Sequence, residues 1–311
     1  MNLGDKIYIA GHHGLVGSAI LRKLQADGYH NLVVRSRGDL DLIDQAAVQS
    51  FFASERPKYV FLAAAKVGGI SANDTYRADF IYENLALQTN VIHAAHKYEV
   101  ARMVFLGSSC VYPRDCLQPM REEYLLTGPL ERTNEPYAVS KIAGLKMCEA
   151  FNAQYGTEFV SVMPTNLYGI NDNFDLETSH VLPALIRKVH ESKRRQSDHV
   201  TLWGTGNPLR EFLFVDDLAE ACVFLINQDG FKDMVNIGSG EEVSIRELAA
   251  LICDVVGFRG ATEFDSAKPD GTPRKLLDST RINTLGWRAK TRLREGLENT
   301  YGWFRDNAAD V

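Results

Sequence analysis

Apolar residues fall into two alternating patterns over the first half of the chain. Short apolar runs at residues 6–10, 31–35, 59–63, 102–106 and 159–163 have the length and composition of strands buried on both faces. Between them, apolar positions recur every three or four residues. Val16, Ile20 and Leu24 follow the first run, and similar spacing over 46–53, 79–97 and 137–155 predicts helices. Strand and helix in alternation make βαβ units, so the pattern predicts a doubly wound α/β fold with a parallel, Rossmann-like sheet over residues 1–165. Pro164 ends the last of these strands. Beyond it the pattern loosens into loops rich in Asn, Asp and Gly at 166–173, 204–208 and 268–273. Ser244 and Glu247 have the spacing of a capping box before a helix to Val256, and 291–307 reads as a terminal helix. Residues 166–311 are therefore expected to form mainly a smaller C-terminal α/β substrate lobe, with segments returning to the first domain. No internal repeat or flexible linker separates the two, which places a ligand at the carboxyl ends of the strands, between the lobes.

The first strand runs into Gly11-His12-His13-Gly14-Leu15-Val16-Gly17, a G-x-x-G-x-x-G turn that opens a helix. Glycines let the backbone approach a pyrophosphate, and the helix N-terminus favours its charge, so this turn is read as a dinucleotide site. An NAD site would carry an acidic residue about 20 positions on, to bond the ribose 2′-hydroxyl. The chain instead has Arg35-Ser36-Arg37. A guanidinium suits a 2′-phosphate, so the expected cofactor is NADPH, with Arg37 as its reader. Asp41 and Leu42 follow where the adenine is expected, although an ordinary turn accounts for them equally well.

Tyr137 and Lys141 stand at i and i+4, on one face of a predicted helix. The lysine's charge is expected to favour the phenolate and so make Tyr137 a usable proton donor near neutral pH. The fourth predicted strand ends in Gly107-Ser108-Ser109-Cys110, which delivers Ser108 to the cleft, where its hydroxyl can hold a substrate carbonyl beside Tyr137.

Composition narrows the choice of partner. The chain has 311 residues, 45% of them apolar and 24% charged, as in a soluble globular protein. Its formal charge of −6 disfavours a general grip on nucleic acid. No run approaches the ~18 apolar residues of a membrane helix, and the first residues lack the order of a signal peptide, so a cytoplasmic protein without a membrane partner is expected. Five cysteines form no C-x-x-C pair, and no His, Cys or carboxylate cluster has metal spacing, so no metal is expected.

The glycine turn, Ser108 and Tyr137-x-x-x-Lys141 together resemble the extended short-chain dehydrogenase/reductase superfamily. Further segments resemble the GDP-L-fucose synthase family within it, over essentially the whole chain. They are Ala63-Ala64-Ala65-Lys66-Val67-Gly68-Gly69-Ile70, Gly107-Ser108-Ser109-Cys110-Val111-Tyr112-Pro113, Asn134-Glu135-Pro136-Tyr137-Ala138, Pro164-Thr165-Asn166-Leu167-Tyr168-Gly169 and Lys268-Pro269-Asp270-Gly271-Thr272-Pro273-Arg274-Lys275. The resemblance implies an NADPH-dependent epimerase and reductase acting on a GDP-linked 4-keto-deoxyhexose. The substrate would be GDP-4-keto-6-deoxy-D-mannose, inverted at C3 and C5 and then reduced at C4.

By the same resemblance, Ser108, Tyr137 and Lys141 serve the reduction, while Cys110 and His180 serve the epimerisation. Cys110 is two residues beyond Ser108, so in an extended segment both side chains would point the same way. His180 would approach from the second lobe. Leu106, Lys141, Pro164, Asn166, Leu167 and His180 would join the glycine turn around the cofactor. Lys188, Trp203, Arg210, Asp270 and Lys275 would hold the nucleotide sugar. Trp203 suits stacking, Arg210 and Lys275 suit a diphosphate, and Asp270 suits hydroxyls or guanine. His13 stands where some relatives carry an arginine, which leaves the 2′-phosphate mainly to Arg37. A homodimer is also implied, joined through the helices over 79–97 and 137–155, with Leu85, Leu87, Ile92, Met147 and Phe151 as its apolar positions. Two other readings stay open here. One is a GDP-colitose synthase acting on the 3-deoxy ketone, for which the same residues suffice. The other is a non-catalytic NADPH-sensing protein, in which the Tyr and Lys would be idle.

Overall fold

The computed structural model describes residues 1–267 and 270–307. The first half runs β1 (Ile7–Ala10), α1 (Leu15–Ala26), β2 (Leu32–Val33), α2 (Gln45–Glu55), β3 (Tyr59–Leu62), α3 (Ile70–Thr75), α4 (Arg77–Lys97), β4 (Arg102–Leu106), α5 (Glu135–Tyr155) and β5 (Phe159–Pro164). The second half continues with β6 (Asn166–Tyr168), α6 (Val181–Arg194), β7 (His199–Trp203), β8 (Leu209–Phe214), α7 (Val215–Ile226), β9 (Met234–Ile237), β10 (Glu242–Ser244), α8 (Ile245–Val256), β11 (Ala261–Asp265), β12 (Arg274–Lys275), α9 (Thr280–Leu285) and α10 (Leu293–Asn307).

Among the described residues, one six-stranded sheet has the order β2-β1-β3-β4-β5-β9, and every pairing in it is parallel. Helices cover both faces, which is why its central strands are apolar throughout rather than alternating. Val60 and Leu62 of β3 enter one core with Phe52, Val91, Phe105 and Leu145. Tyr59 and Phe61 enter the other with Ile20, Leu24, Leu218 and Val223. The chain leaves β1 toward β2 and returns to β3 on the opposite side, so the strand order reverses at β1. A cleft opens at such a reversal, and there the glycine turn begins.

In the second half, β8 is central to a smaller sheet, antiparallel to β10 and parallel to β6 and β12. A parallel pair, β7 with β11, stands beside it. Their shared core holds Phe174, Leu185, Leu202, Phe212, Leu248 and Phe304. The capping box is present: Ser244 Oγ accepts from Glu247 N, and the Glu247 carboxylate accepts from Ser244 N. Elements of this half return to the first sheet: β9 pairs with β5, and α7 and α9 pack in the α1 layer.

Three expectations differ from the structure. Residues 166–168 form β6 instead of a loop, because β8 lies alongside to satisfy their backbone. The second strand is shorter than 31–35, since as an edge strand it has only β1 to pair with, and that register covers Leu32 and Val33. Leu87 and Ile92 do not form an outer face: both are buried in the core beneath α4, while Leu85, Met147 and Phe151 are half-buried. The loop expected at 268–273 begins with Lys268 and Pro269, which lie outside the described residues.

Candidate active site

The dinucleotide turn is built by backbone proximity. Gly11 has φ +87, and a Cβ added at Gly17 would lie 2.1 Å from the Gly11 carbonyl oxygen. A side chain at Gly17 would therefore force the turn open. Gly14 caps α1 without a side-chain hydrogen bond, and Leu15 and Val16 begin the helix, so its first amides have no capping side chain. His12 and His13 stack with ring centroids 3.9 Å apart. Burial and the neighbouring His13 lower the His12 pKa, and His12 Nδ1 is buried without a hydrogen-bond partner. Asn171 Nδ2 donates to the His13 carbonyl at 2.7 Å, tying the second lobe to this turn.

The two arginines after β2 part company. Arg35 pairs with Glu55 at 2.5 Å and lies over the Phe51 ring, a structural role. Arg37 is 72% exposed and, among the described residues, pairs only with Glu83, at 3.5 Å. Asp41 accepts from Ile43 N within its own turn, and Asn90 Nδ2 donates to the Leu42 carbonyl at 2.9 Å.

Sheet and helix meet where Ser108, Cys110, Tyr137 and Lys141 gather. Ser108 follows β4, but the next residues are not extended, contrary to the expectation. Ser109–Val111 forms a 3-10 turn that the Ser108 hydroxyl caps, accepting from Cys110 N at 3.2 Å. That local bond favours the turn over a continued strand. The placement of Cys110 relative to Ser108 is therefore set by the turn, not by strand alternation.

Tyr137 stands in the first turn of α5, edge-on to Phe80 at 6.3 Å. Lys141 is buried one turn later, its Nζ donating to the Leu106 carbonyl at 2.8 Å and lying 5.9 Å from the Tyr137 ring centroid. The expected depression of the phenol by this lysine is not met in the free chain. Burial raises the Tyr137 pKa, nearby Cys110 adds to the rise, and a hydrogen bond with Ser108 opposes it. Burial also pushes the Lys141 pKa down to about 7, because the ammonium has lost its water.

Cys110 Sγ is approached from two sides. Asn134 Nδ2, just before α5, lies 3.3 Å away, and Lys275 Nζ, from β12, lies 3.4 Å away. His180 is the residue before α6, and the segment leading to it docks on the first lobe through Gly69 N donating to the Thr178 carbonyl at 2.8 Å. His180 is exposed as a residue, yet the surrounding protein still strips water from its imidazole. Burial, and then the Lys275 charge, hold its pKa below the ordinary imidazole value.

The residues expected around the nucleotide sugar fall along the second lobe. Lys188 Nζ lies 5.0 Å from the Trp203 ring centroid, and burial lowers its pKa. Arg210 and Lys275 are register partners across β8 and β12. Burial lowers the Arg210 pKa, and the Asp270 charge opposes that. Asp270 is already engaged, its carboxylate accepting from Thr205 N at 2.7 Å and from Thr205 Oγ1 at 2.8 Å. Of the remaining expected residues, Pro164 ends β5, Asn166 donates to the Glu211 carbonyl at 2.8 Å, and Leu167 packs on the core under the first sheet. Asn134 stands in one of the family-like motifs, with no expected role of its own. Its position one helical turn before Tyr137 was the available signal. Thr205 carried none.

A model of the NAD dependent epimerase/dehydratase family matches residues 7–238. The putative GDP-L-fucose synthase 2 of Arabidopsis thaliana is 59% identical over 302 residues, 97% of this chain and 92% of that protein. The GDP-L-fucose synthase of Escherichia coli K12 is 53% identical, covering 97% of each. The GDP-L-colitose synthase of Yersinia pseudotuberculosis stands further off, at 35% over 96% of this chain and 97% of that protein. Among solved structures, a GDP-L-fucose synthetase from Naegleria fowleri bound to NADP superposes with a TM-score of 0.91 at 28% identity, over 99% of this chain and 96% of that one. A strand-reversal cleft with a glycine turn, a Ser, Tyr and Lys wall beside it, and these matches over nearly the full length lead to one conclusion: the chain belongs to the NAD dependent epimerase/dehydratase family and, within it, to the GDP-L-fucose synthases.

Proposed function

We propose that the protein is an NADPH-dependent epimerase and reductase that converts GDP-4-keto-6-deoxy-D-mannose to GDP-L-fucose, inverting C3 and C5 and then reducing the C4 ketone. The observation that carries this reading is the meeting of two kinds of chemistry at one wall. Cys110, a group able to take a proton from carbon, lies close enough to Tyr137 to influence its phenol. Lys275 reaches Cys110 from the second lobe and also acts on His180.

The residues fit NADPH. The Gly11 and Gly17 turn leaves backbone room for a pyrophosphate, the uncapped start of α1 offers amides to it, and Arg37 is exposed enough to take a 2′-phosphate. When bound, the cofactor supplies the hydride for C4. Ser108 and Tyr137 hydrogen-bond the C4 oxygen and stabilise the negative charge that develops there during both chemistries. Cys110 takes the proton beside the ketone, and His180 returns one to the opposite face. Its lowered pKa makes it a ready donor once protonated. Tyr137 delivers the final proton to the oxygen. Arg210, Lys188, Trp203 and Asp270 hold the GDP portion.

The 3-deoxy ketone of a colitose pathway would meet the same residues, but 53% and 59% identity to fucose synthases against 35% to a colitose synthase favours the 3-hydroxy substrate. A silent cofactor sensor is disfavoured because Ser108, Tyr137 and Lys141 are all in place. We further assign a cytoplasmic homodimer. Its seam is the outer side of α4 and α5, where Tyr82 and Val139 are exposed beside a hollow lined by Ala78, Ile81 and Pro136. No helix is long and apolar enough to cross a membrane among the described residues.

The test supplies NADPH with either the 3-hydroxy or the 3-deoxy ketone and identifies products by NMR. GDP-L-fucose from the first, with slower turnover of the second, is expected. NADPH oxidation with neither ketone would overturn the reading. Cys110→Ser should still oxidise NADPH but yield an un-epimerised 6-deoxy sugar, because a serine hydroxyl is a far weaker acid than a thiol. Full epimerisation at a near-normal rate would move the base elsewhere.

A further inference from the structure

Lys275 was expected at the substrate diphosphate, yet its ammonium rests on a sulfur. Among the described residues Cys110 Sγ has two polar contacts, Lys275 Nζ at 3.4 Å and Asn134 Nδ2 at 3.3 Å, and both are donors. Among the described residues, Lys275 forms no ion pair with a carboxylate, so its charge is not spent elsewhere. We propose that Lys275 is a positioning residue for the epimerisation: with Asn134 it holds the Cys110 sulfur and favours it as the proton acceptor, so that the substrate lobe completes a base belonging to the first lobe. The proposal rests on the reading of Cys110 as that base.

An ammonium can only donate, so it favours sulfur in the form that only accepts. The asparagine amide can serve either form, since its Oδ1, buried without a partner, could accept from a thiol if the amide turned over. Discrimination between thiol and thiolate therefore falls on the lysine. Cys110 acts on Tyr137 of α5, and Lys275 acts also on Cys116 in the following loop and on His180 before α6. Its charge lowers the His180 pKa, which eases proton release from the imidazolium to the sugar. One cation thus supports both directions of transfer. In the forward step the C–H bond beside the ketone breaks, its electron pair stays on the sugar as the enolate, and an S–H bond forms on Cys110.

The backbone at Lys275 is latched from both lobes. Lys275 pairs in register with Arg210 of β8. Beyond it, Leu276 N donates to Gln118 Oε1 at 2.9 Å, the Leu276 carbonyl accepts from Met120 N at 2.8 Å, and Leu277 N donates to the buried Glu211 carboxylate at 3.1 Å. Gln118 and Met120 belong to the loop that follows the Cys110 turn, so the lysine and the sulfur are held to a common frame.

The experiment measures iodoacetamide alkylation of Cys110, read by peptide mass mapping in the ligand-free protein across pH 6–10, alongside exchange of the sugar's C3 and C5 protons with deuterated water. In Lys275→Met the alkylation midpoint should rise by about one pH unit or more, slowing reaction at neutral pH about tenfold. The exchange profile should move with it, so that alkaline pH restores much of the lost rate. Lys275→Arg should keep the original midpoint. Lys275→Gln, neutral but polar, should behave as Met does and serves if the Met variant fails to fold. An unmoved alkylation midpoint in both neutral variants would overturn the proposal, with any rise in KM then marking Lys275 as a substrate contact only. Undiminished exchange in Cys110→Ser would instead overturn the assignment of the base, a result independent of the alkylation profile.

Discussion

Arg37 and Glu83 form an ion pair at 3.5 Å, with the arginine largely exposed and the carboxylate sheltered. Glu83 also receives Lys66 Nζ at 2.5 Å, so Arg37 can leave it without stranding a buried charge. An exposed pair of this kind is weak, and a 2′-phosphate offers Arg37 a stronger partner. Arg37→Ala should raise the KM for NADPH about tenfold to a hundredfold, the equivalent of one charge-assisted hydrogen bond, and leave NADH little changed. Steady-state kinetics with both cofactors checks this. Equal loss for both would show that Arg37 does not read the phosphate.

Under the proposed mechanism, Tyr137→Phe removes the proton donor at the C4 oxygen while keeping the ring against Phe80. Reduction should fall by about a hundredfold to ten-thousandfold, the usual worth of a positioned acid. Exchange of the C3 and C5 protons with deuterated water should continue, slowed, because Ser108 still contacts the oxygen. NADPH consumption and deuterium uptake followed in one sample separate the two effects.

Lys141 links pH to stability. Its pKa in the folded chain is pushed down to about 7, well below that of an unfolded lysine near 10.4, so between these values the unfolded state binds the extra proton. The buried charge therefore destabilises the fold fully below pH 7, and the penalty fades as pH rises toward 10. Lys141→Met should be more stable than the parent by roughly a few kcal/mol at pH 6, with that advantage shrinking steadily by pH 9.5. Urea unfolding of both proteins across this range measures the difference, in which other titrating groups cancel. A constant gap would show that Lys141 stays charged when folded.

At the proposed dimer seam, Tyr82 is 64% exposed and Val139 39% exposed. Light scattering at micromolar concentration should give twice the chain mass for the parent. Val139→Arg combined with Tyr82→Glu should halve it without changing the circular dichroism spectrum, since neither side chain supports the core. A monomeric parent would remove the dimer.

Apart from the short α3, the order of strands and helices in the first half, the glycine turn and the Tyr137 and Lys141 spacing were legible along the chain, because each rests on neighbours a few residues apart. Burial on both faces leaves a continuous apolar run, a helix repeats every three or four residues, and a turn needing positive φ selects glycine at Gly11. The capping box at Ser244 and Glu247 was equally local.

What only the tertiary structure decided involves residues brought together from distant parts of the chain, or a competition between local alternatives. Lys275 reaches Cys110 across 165 residues, and β9 crosses back to pair with β5, through contacts that leave no periodic trace. Arg35 and Arg37 look alike in sequence, but Glu55 and Phe51 take the first and leave the second exposed. The turn at Ser109–Val111 displaced an extended segment because one hydroxyl cap outweighed strand alternation. The charge of Lys141 was likewise decided by burial: an ammonium four residues from a phenol favours the phenolate only if it keeps its proton, and that depends on how much water the fold leaves around it.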